Sequence, residues 1–389
     1  MNILHVVKDF STPSQTFIYN LVAALEECGS TKNTVGFYRT RLLEQERPFP
    51  RTVFIGAGKD WMGRARRAVK FKTKELEQAQ NIHRIIIQEE PEVIHCHFAW
   101  SLWDCLWNYC RYFELKTPVL VSVHGTDILR SLAKSPETAR KIIEMSKTHA
   151  LHFVAANPFM ANASESAGIP KNLISIIPNA VDARLFNTKT PPSSDPSRFK
   201  IVSNGRFVGW KGHVFLIEAF ARFVKEVCPH AQLNLIGTGE CGGDLKMRVK
   251  QLGISESVVF LGRMPHTDVL ETLQCQDLYI QPSIRDPETG QCEAFGIAVL
   301  EAMCTGLPVI VTNTGGMPNL VACDSSHNII VPEQDSNALF EAMKTIYSLP
   351  PEEKMDHAYA RETAKRYSLG QQVESYLATY RKLLSARTN

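Results

Sequence analysis

Two patterns of apolar and polar residues alternate along this chain. Short apolar runs such as "NILHVV", "EVIHCHF", "PVLVSVHG", "HFVAAN" and "LISIIPN" read as strands. Between them lie stretches with apolar residues at every third or fourth place. In "SQTFIYNLVAALEECG", Phe17, Leu21, Ala24 and Leu25 share one helical face, and Gly29 supplies the stop. Strands alternating with helices predict parallel sheets with helices on both faces. The alternation breaks at "NTKTPPSSDPSR", residues 187–198. Its prolines exclude a helix or a central strand, so it reads as a linker. The pattern then restarts with "FKIVSNG", "AQLNLIG", "SVVFLG", "DLYIQPS", "LPVIVTN" and "NIIVP" as strands. In "HVFLIEAFARFVKEV", Leu216, Ala219, Phe220, Phe223 and Val227 keep helical spacing. A last helical pattern, "QQVESYLATYRKLL", follows the second set of strands. The expectation is two doubly wound α/β domains, 1–186 and 199–368, facing a cleft, with a final helix over 369–389.

Composition narrows this picture. At 44% hydrophobic and 21% charged, 389 residues suffice for two ordinary cores. A net charge of +3 is near balance and gives no electrostatic footprint for nucleic acid. Ten scattered cysteines without a CxxC pair predict free thiols in a reducing compartment. "MNILHVVKDF" lacks a basic leader and reads as a strand, not a signal peptide. No apolar run reaches the length of a membrane span. The cytoplasm is the expected location.

The candidate chemistry concentrates in the second half. "QCEAFGIAVLEAMCTGLPVI" holds Glu293 and Glu301 eight places apart in an apolar frame. "GIAVLEAMCT" predicts a helix of about 10 residues, roughly 15 Å long. Glu293 then stands at its entrance and Glu301 on its second turn. The free amides of Ala294, Phe295, Gly296 and Ile297 would suit an anion, phosphate above all. Carboxylates on either side suit sugar hydroxyls. The plainer reading is a capping glutamate and a buried, paired one, since a buried Glu needs a partner. In "SNGRFVGWKGH", Arg206 and Lys211 flank a glycine-containing turn that could close on a diphosphate. The plainer reading is two exposed loop cations. "LIGTGECGG" contains GxGxxG, but "SVVFLGR" ends in Gly262 and Arg263 where a dinucleotide site needs an acid.

The first half offers less. "VSVHGTD" places His124, Gly125 and Asp127 at the end of a strand. His95 and His97 in "HCHF" share one strand face without a third ligand nearby in sequence, and read as structural. No Asp-x-Asp occurs, so no metal–diphosphate clamp is expected. "KDWMGRARRAVKFKTK", residues 59–74, carries seven Lys/Arg. Trp61, Ala65, Ala68, Val69 and Leu76 fall on one stripe, the pattern of a helix on an anionic membrane or of a solvated helix with a core stripe.

"GRFVGWKGHVFLIEAF", "FLGR", "EAFGIAVLEAMCTGLPVIVTNTGGMPNLV" and "IIPNAVDARLF" together resemble the glycosyltransferase family 4 type. The resemblance spans nearly the whole chain and is strongest over 174–331. It implies the GT-B fold, a nucleotide-sugar donor on the C-terminal domain and retention of anomeric configuration; with no Asp-x-Asp, no metal cofactor is expected. By it, Glu293 contacts the transferred sugar, Glu301 the ribose, Arg206 and Lys211 the diphosphate, and Arg263 the base. His124 lies beside the sugar, and the final helix crosses back to the first domain. "FSTPSQTFI" is similar to a stretch in members that build exopolysaccharide and lipopolysaccharide, which places Ser14, Gln15 and Thr16 on the side of a glycan or lipid-linked acceptor, and Asp127, in an HG-x-D pattern like the family's, is assigned to that side too. Here Gln15 stands where those members have Glu, the proline is displaced, and their Gly-Gly loop is absent. Two rivals share the plan: a UDP-sugar 2-epimerase, which would turn over donor without acceptor, and a non-catalytic nucleotide- or glycan-binding protein. A nicotinamide-dependent oxidoreductase is a third and would need cofactor binding.

Overall fold

A computed structural model describes residues 1–12, 15–58, 73–185, 198–321, 327–350 and 353–385. Contacts divide the chain into two units: Met1–Ala180 with Leu369–Asn389, and Val181–Ser368.

The first unit is built on seven strands: β1 Asn2–Phe10, β2 Lys32–Arg41, β3 Thr52–Phe54, β4 Val93–His97, β5 Val119–Ser122, β6 Leu151–Ala155 and β7 Ile174–Ile176. Their order is β3-β2-β1-β4-β5-β6-β7, and every neighbour pair is parallel. The second unit has β8 Lys200–Asn204, β9 Gln232–Ile236, β10 Val258–Gly262, β11 Leu278–Gln281, β12 Val309–Thr312 and β13 Asn328–Val331. Its order is β10-β9-β8-β11-β12-β13, again all parallel. Central strands covered on both faces are mostly apolar, and β4, β5, β11 and β12 are buried at every position, their few polar side chains included. In each sheet the order reverses between two central strands, β1 and β4 in one, β8 and β11 in the other. The loops that leave those strands diverge to opposite faces, which opens the ligand position of doubly wound sheets.

Strands β2 and β3 were not expected. "KNTVGFYRTR" carries too many polar residues for an apolar run, yet Asn33–Gly36 are buried beside β1. Most of residues 59–74 lie outside the described residues. The expected single stripe from Trp61 to Leu76 is interrupted, because Thr73 is extended and caps a helix, Lys74–Glu89, by accepting from the Leu76 amide at 3.1 Å. Among the described residues no helix is long and apolar enough to cross a membrane.

The helix Leu369–Ser385 belongs to the first unit. Val373, Tyr376, Leu377, Tyr380 and Leu383 pack against Ile3, Leu21, Leu25, Val93, Leu120, Val154 and Ile177. A buried polar network fixes its rotation. Tyr380 Oη lies 2.7 Å from His95 Nδ1, His95 Nε2 lies 2.8 Å from Ser122 Oγ, and that hydroxyl meets Tyr376 Oη at 2.9 Å. The strand register puts His5 beside His95. His5 joins His97 at 3.0 Å and Asn33 at 3.0 Å. Burial lowers the pKa of all three imidazoles, that of His5 to about 4, so they are neutral near pH 7.

An unfolded histidine titrates near 6.5. Folding therefore opposes protonation here: the contribution of these groups is whole above that pH and falls as the medium acidifies toward their folded values. Calorimetric scans at pH 7, 6 and 5 should show the first unit's transition moving steadily down. A transition that stays in place from pH 7 to pH 5 would contradict this.

Candidate active site

The loops leaving β8 and β11 carry the second unit's charged candidates. The β8 loop runs from Gly205 through a 3₁₀ turn, Gly209–Lys211, into the helix His213–Glu226. Trp210 gathers its cations: the Arg206 guanidinium lies 6.0 Å and Lys211 Nζ 4.9 Å from the indole centroid. Lys211 then reaches across to the β11 loop and pairs with Glu293 at 2.5 Å. Both side chains are largely covered, at 11% and 16% exposure, so each compensates the other's desolvation. Two glycines hold these loops close. At Gly212, φ is +67° and an added Cβ would sit 1.9 Å from the Pro282 carbonyl oxygen. At Gly315, φ is +62° and a Cβ would sit 1.9 Å from the Glu293 carbonyl oxygen, which accepts from the Gly316 amide at 2.8 Å. No side chain but hydrogen fits either place.

The helix that follows spans Ile297–Cys304, beginning four residues after Glu293. Gly296 precedes it in a left-handed conformation, and no side chain caps its first turn. Ala294 and Phe295 lie before the helix, with Phe295 packed edge-on to Tyr367. Glu301 is 6% exposed among Leu300, Ala302, Met303 and Cys304. His266 Nε2 meets its Oε1 at 2.7 Å. Tyr279 on β11 feels both glutamates: burial first, then the negative charge of Glu293 and Glu301, raises its phenol well above the usual value. Beside Lys211, His213 is buried with both ring nitrogens unpartnered among the described residues; burial, then the lysine charge, lowers its pKa to about 3. Arg263 is exposed beyond β10 and pairs with none of these residues. Sequence reasoning missed His266, Tyr279 and Trp210. Only the pairing requirement of a buried Glu signalled that a partner such as His266 must exist.

In the first unit, His124 lies just past β5. Phe17 and Phe98 flank its ring at 4.7 Å each, and His97 stacks near it at 6.2 Å. Both ring nitrogens are covered and have no hydrogen-bond partner among the described residues. Burial lowers its pKa to about 3, so it is a neutral donor and acceptor. Asp127, expected to face an acceptor, has another task. Its carboxylate is buried and accepts the backbone amides of Ala99 at 2.8 Å, His124 at 3.2 Å and Gly125 at 2.9 Å. Those bonds shape the His124 loop. Gln15 and Thr16 stand at the start of the helix Thr16–Glu27, and Ser14 lies outside the described residues.

His5, His95 and His97 put three ring nitrogens within 4.8 Å of one another. The third histidine that the sequence did not show comes from β1. Their arrangement does not suit a metal ion. Imidazole binds a metal in its own plane, and the His95 and His97 rings are stacked at 4.1 Å. Burial places the thiol of Cys292, next to Glu293, at about 11, which excludes it as a ready nucleophile.

The family model described as "Glycosyl transferases group 1" matches residues 187–366, and "Glycosyltransferase Family 4" matches 14–185. The chain belongs to the family 4 type of glycosyltransferases. The GDP-mannose-dependent monoacylated alpha-(1-6)-phosphatidylinositol monomannoside mannosyltransferase of Corynebacterium glutamicum is 28% identical over 235 residues, 58% of this chain. The amylovoran biosynthesis glycosyltransferase AmsK of Erwinia amylovora is 26% identical over 64% of this chain. Each alignment spans 59% of the relative's own length. HepE of Anabaena, solved in complex with UDP and glucose, superposes with a TM-score of 0.74 at 19% identity, over 97% of this chain and 99% of HepE. That likeness concerns the fold: two Rossmann-like halves of the GT-B type.

In this family 4 chain the backbone of Glu293 rests on Gly315. Gly315→Ala should lower the unfolding free energy of the second unit by roughly 2 kcal/mol or more, because a left-handed residue and a blocked approach both carry a cost. Denaturant titration checks it; an unchanged midpoint would refute the close-approach account.

Proposed function

We propose that this chain is a retaining glycosyltransferase. It moves a hexosyl group from a UDP- or GDP-sugar to a glycan or lipid-linked acceptor in surface polysaccharide biosynthesis, without a divalent metal. The observation that carries the reading is the Lys211–Glu293 pair, with Arg206 on the same indole, at the switch point of the second sheet. Fixed cations at that point suit a diphosphate, and a carboxylate beside them suits sugar hydroxyls. The names of the relatives, one GDP-mannose-dependent and one in amylovoran biosynthesis, agree with this class of work.

In this mechanism the diphosphate departs with the bonding electrons of the C1–O bond. Arg206, Lys211 and the first-turn amides of the helix Ile297–Cys304 stabilise the charge that develops on it. Donor binding draws Lys211 from Glu293 toward phosphate and frees the carboxylate to accept hydrogen bonds from the sugar. Glu301 accepts from the ribose, and Arg263 approaches the base. Neutral His124 hydrogen-bonds the sugar near the reacting carbon. The acceptor hydroxyl attacks C1 from the face the phosphate leaves, and a leaving-phosphate oxygen takes its proton, so configuration is kept. Gln15 and Thr16 belong to the acceptor side. A lipid-linked acceptor would bring the enzyme to the inner face of a membrane, where residues 59–74 would meet anionic lipid.

Purified protein should be assayed with UDP- and GDP-sugars and oligosaccharide acceptors, with and without EDTA. The expected product has the donor's anomeric configuration by NMR, at a rate indifferent to EDTA. Lys211→Ala should lower kcat by about 10²-fold or more. An inverted product, dependence on added metal, or a full-rate Lys211→Ala enzyme would overturn the reading.

A further inference from the structure

The buried carboxylate of Glu301 raises a question that the reaction itself leaves open. It sits on a helix whose neighbouring side chains are apolar, at 6% exposure. An unpaired carboxylate in such a frame would take up a proton or turn away. Among the described residues its hydrogen-bond partner is His266, whose Nε2 meets Oε1 at 2.7 Å. Oε2 accepts from none of the described residues.

The two groups come from elements 35 positions apart in sequence. His266 is the first residue of the helix His266–Gln274, preceded by Pro265. That proline fixes the entry of the chain into the helix. Its successor's side chain therefore leaves from a firm backbone position, while Glu301 leaves from the middle of its own helix.

We propose that His266 is a positioning residue for nucleotide recognition. It holds one oxygen of Glu301 and so aims the other at the vicinal hydroxyls of a ribose. This rests on the nucleotide-sugar reading of the site. The carboxylate keeps one rotamer without a ligand, so the binding of a ribose diol needs no reorientation of a buried charge. His266 touches no ligand in this account; it acts only through Glu301. A nucleotide without the diol gains nothing from the arrangement.

The test is calorimetric titration of UDP and GDP, and of the 2′,3′-dideoxy form of whichever binds, into wild type, Glu301→Ala, His266→Ala and His266→Gln. Folding of each variant is checked first by its melting temperature. His266→Ala should weaken the ribonucleotide about tenfold, the scale of one hydrogen bond to a charged group, and leave the dideoxy form within about twofold. Glu301→Ala should show the same selectivity for the diol. His266→Gln, which can offer an amide N–H from a similar distance, should restore ribonucleotide affinity to within about threefold of wild type. If His266→Ala weakens both nucleotides equally, or neither, while Glu301→Ala discriminates between them, the positioning role falls and the nucleotide site stands. If wild type binds no nucleoside diphosphate, the nucleotide-sugar reading falls and the role of His266 with it.

Discussion

The ion pair between Lys211 and Glu293 is the contact on which the second unit's site depends. It ties together two loops whose residues are 82 positions apart. Each loop leaves one of the two central strands where the sheet order reverses. Neither charge would be tolerated alone at so little exposure, so each residue requires the other for as long as no ligand is present. The backbone is shaped to the same end. Gly212 lets the lysine loop press on Pro282, and Gly315 lets the following loop press on Glu293 itself. Glu301 repeats the principle eight residues further on, with His266 in place of lysine.

The first unit handles buried polarity differently. His5 and His95 bond His97, Asn33, Ser122 and Tyr380, which makes them part of the framework, while His97 Nδ1 has no partner among the described residues. Asp127 likewise turns inward onto backbone amides. His124 breaks the pattern, since its ring is held by aromatic neighbours and its nitrogens by nothing. A buried polar group without a partner costs stability, and one that persists calls for an explanation. Contact with a substrate is the explanation that the proposed reaction supplies.

Much of the fold was legible because central parallel strands must be apolar on both faces, and "EVIHCHF", "DLYIQPS" and "LPVIVTN" announce that burial directly. β2 was not legible, because its buried Asn33 and Thr34 owe their places to side-chain partners, Asn33 to His5 and Glu26, Thr34 to Glu89. Spacing within two separate segments showed Arg206 with Lys211, and Glu293 with Glu301, as candidates. Pairing could not be read, because Lys211–Glu293, His266–Glu301 and His5–His97 all join residues at least 35 positions apart. The amide contacts of Asp127 were hidden for a related reason: an aspartate beside a candidate histidine looks the same in sequence whether or not it accepts from three amides.

The central claim is that Lys211 and Glu293 are kept for a ligand and not for the fold. The most direct measurement is calorimetric titration of UDP- and GDP-sugars into wild type and into the double variant Lys211→Met with Glu293→Leu. Apolar residues of similar volume in place of a covered ion pair are often neutral or stabilising. The account predicts a double variant that melts no lower than wild type and binds no nucleotide sugar that wild type binds. A double variant that melts much lower yet binds the donor as wild type does would contradict it.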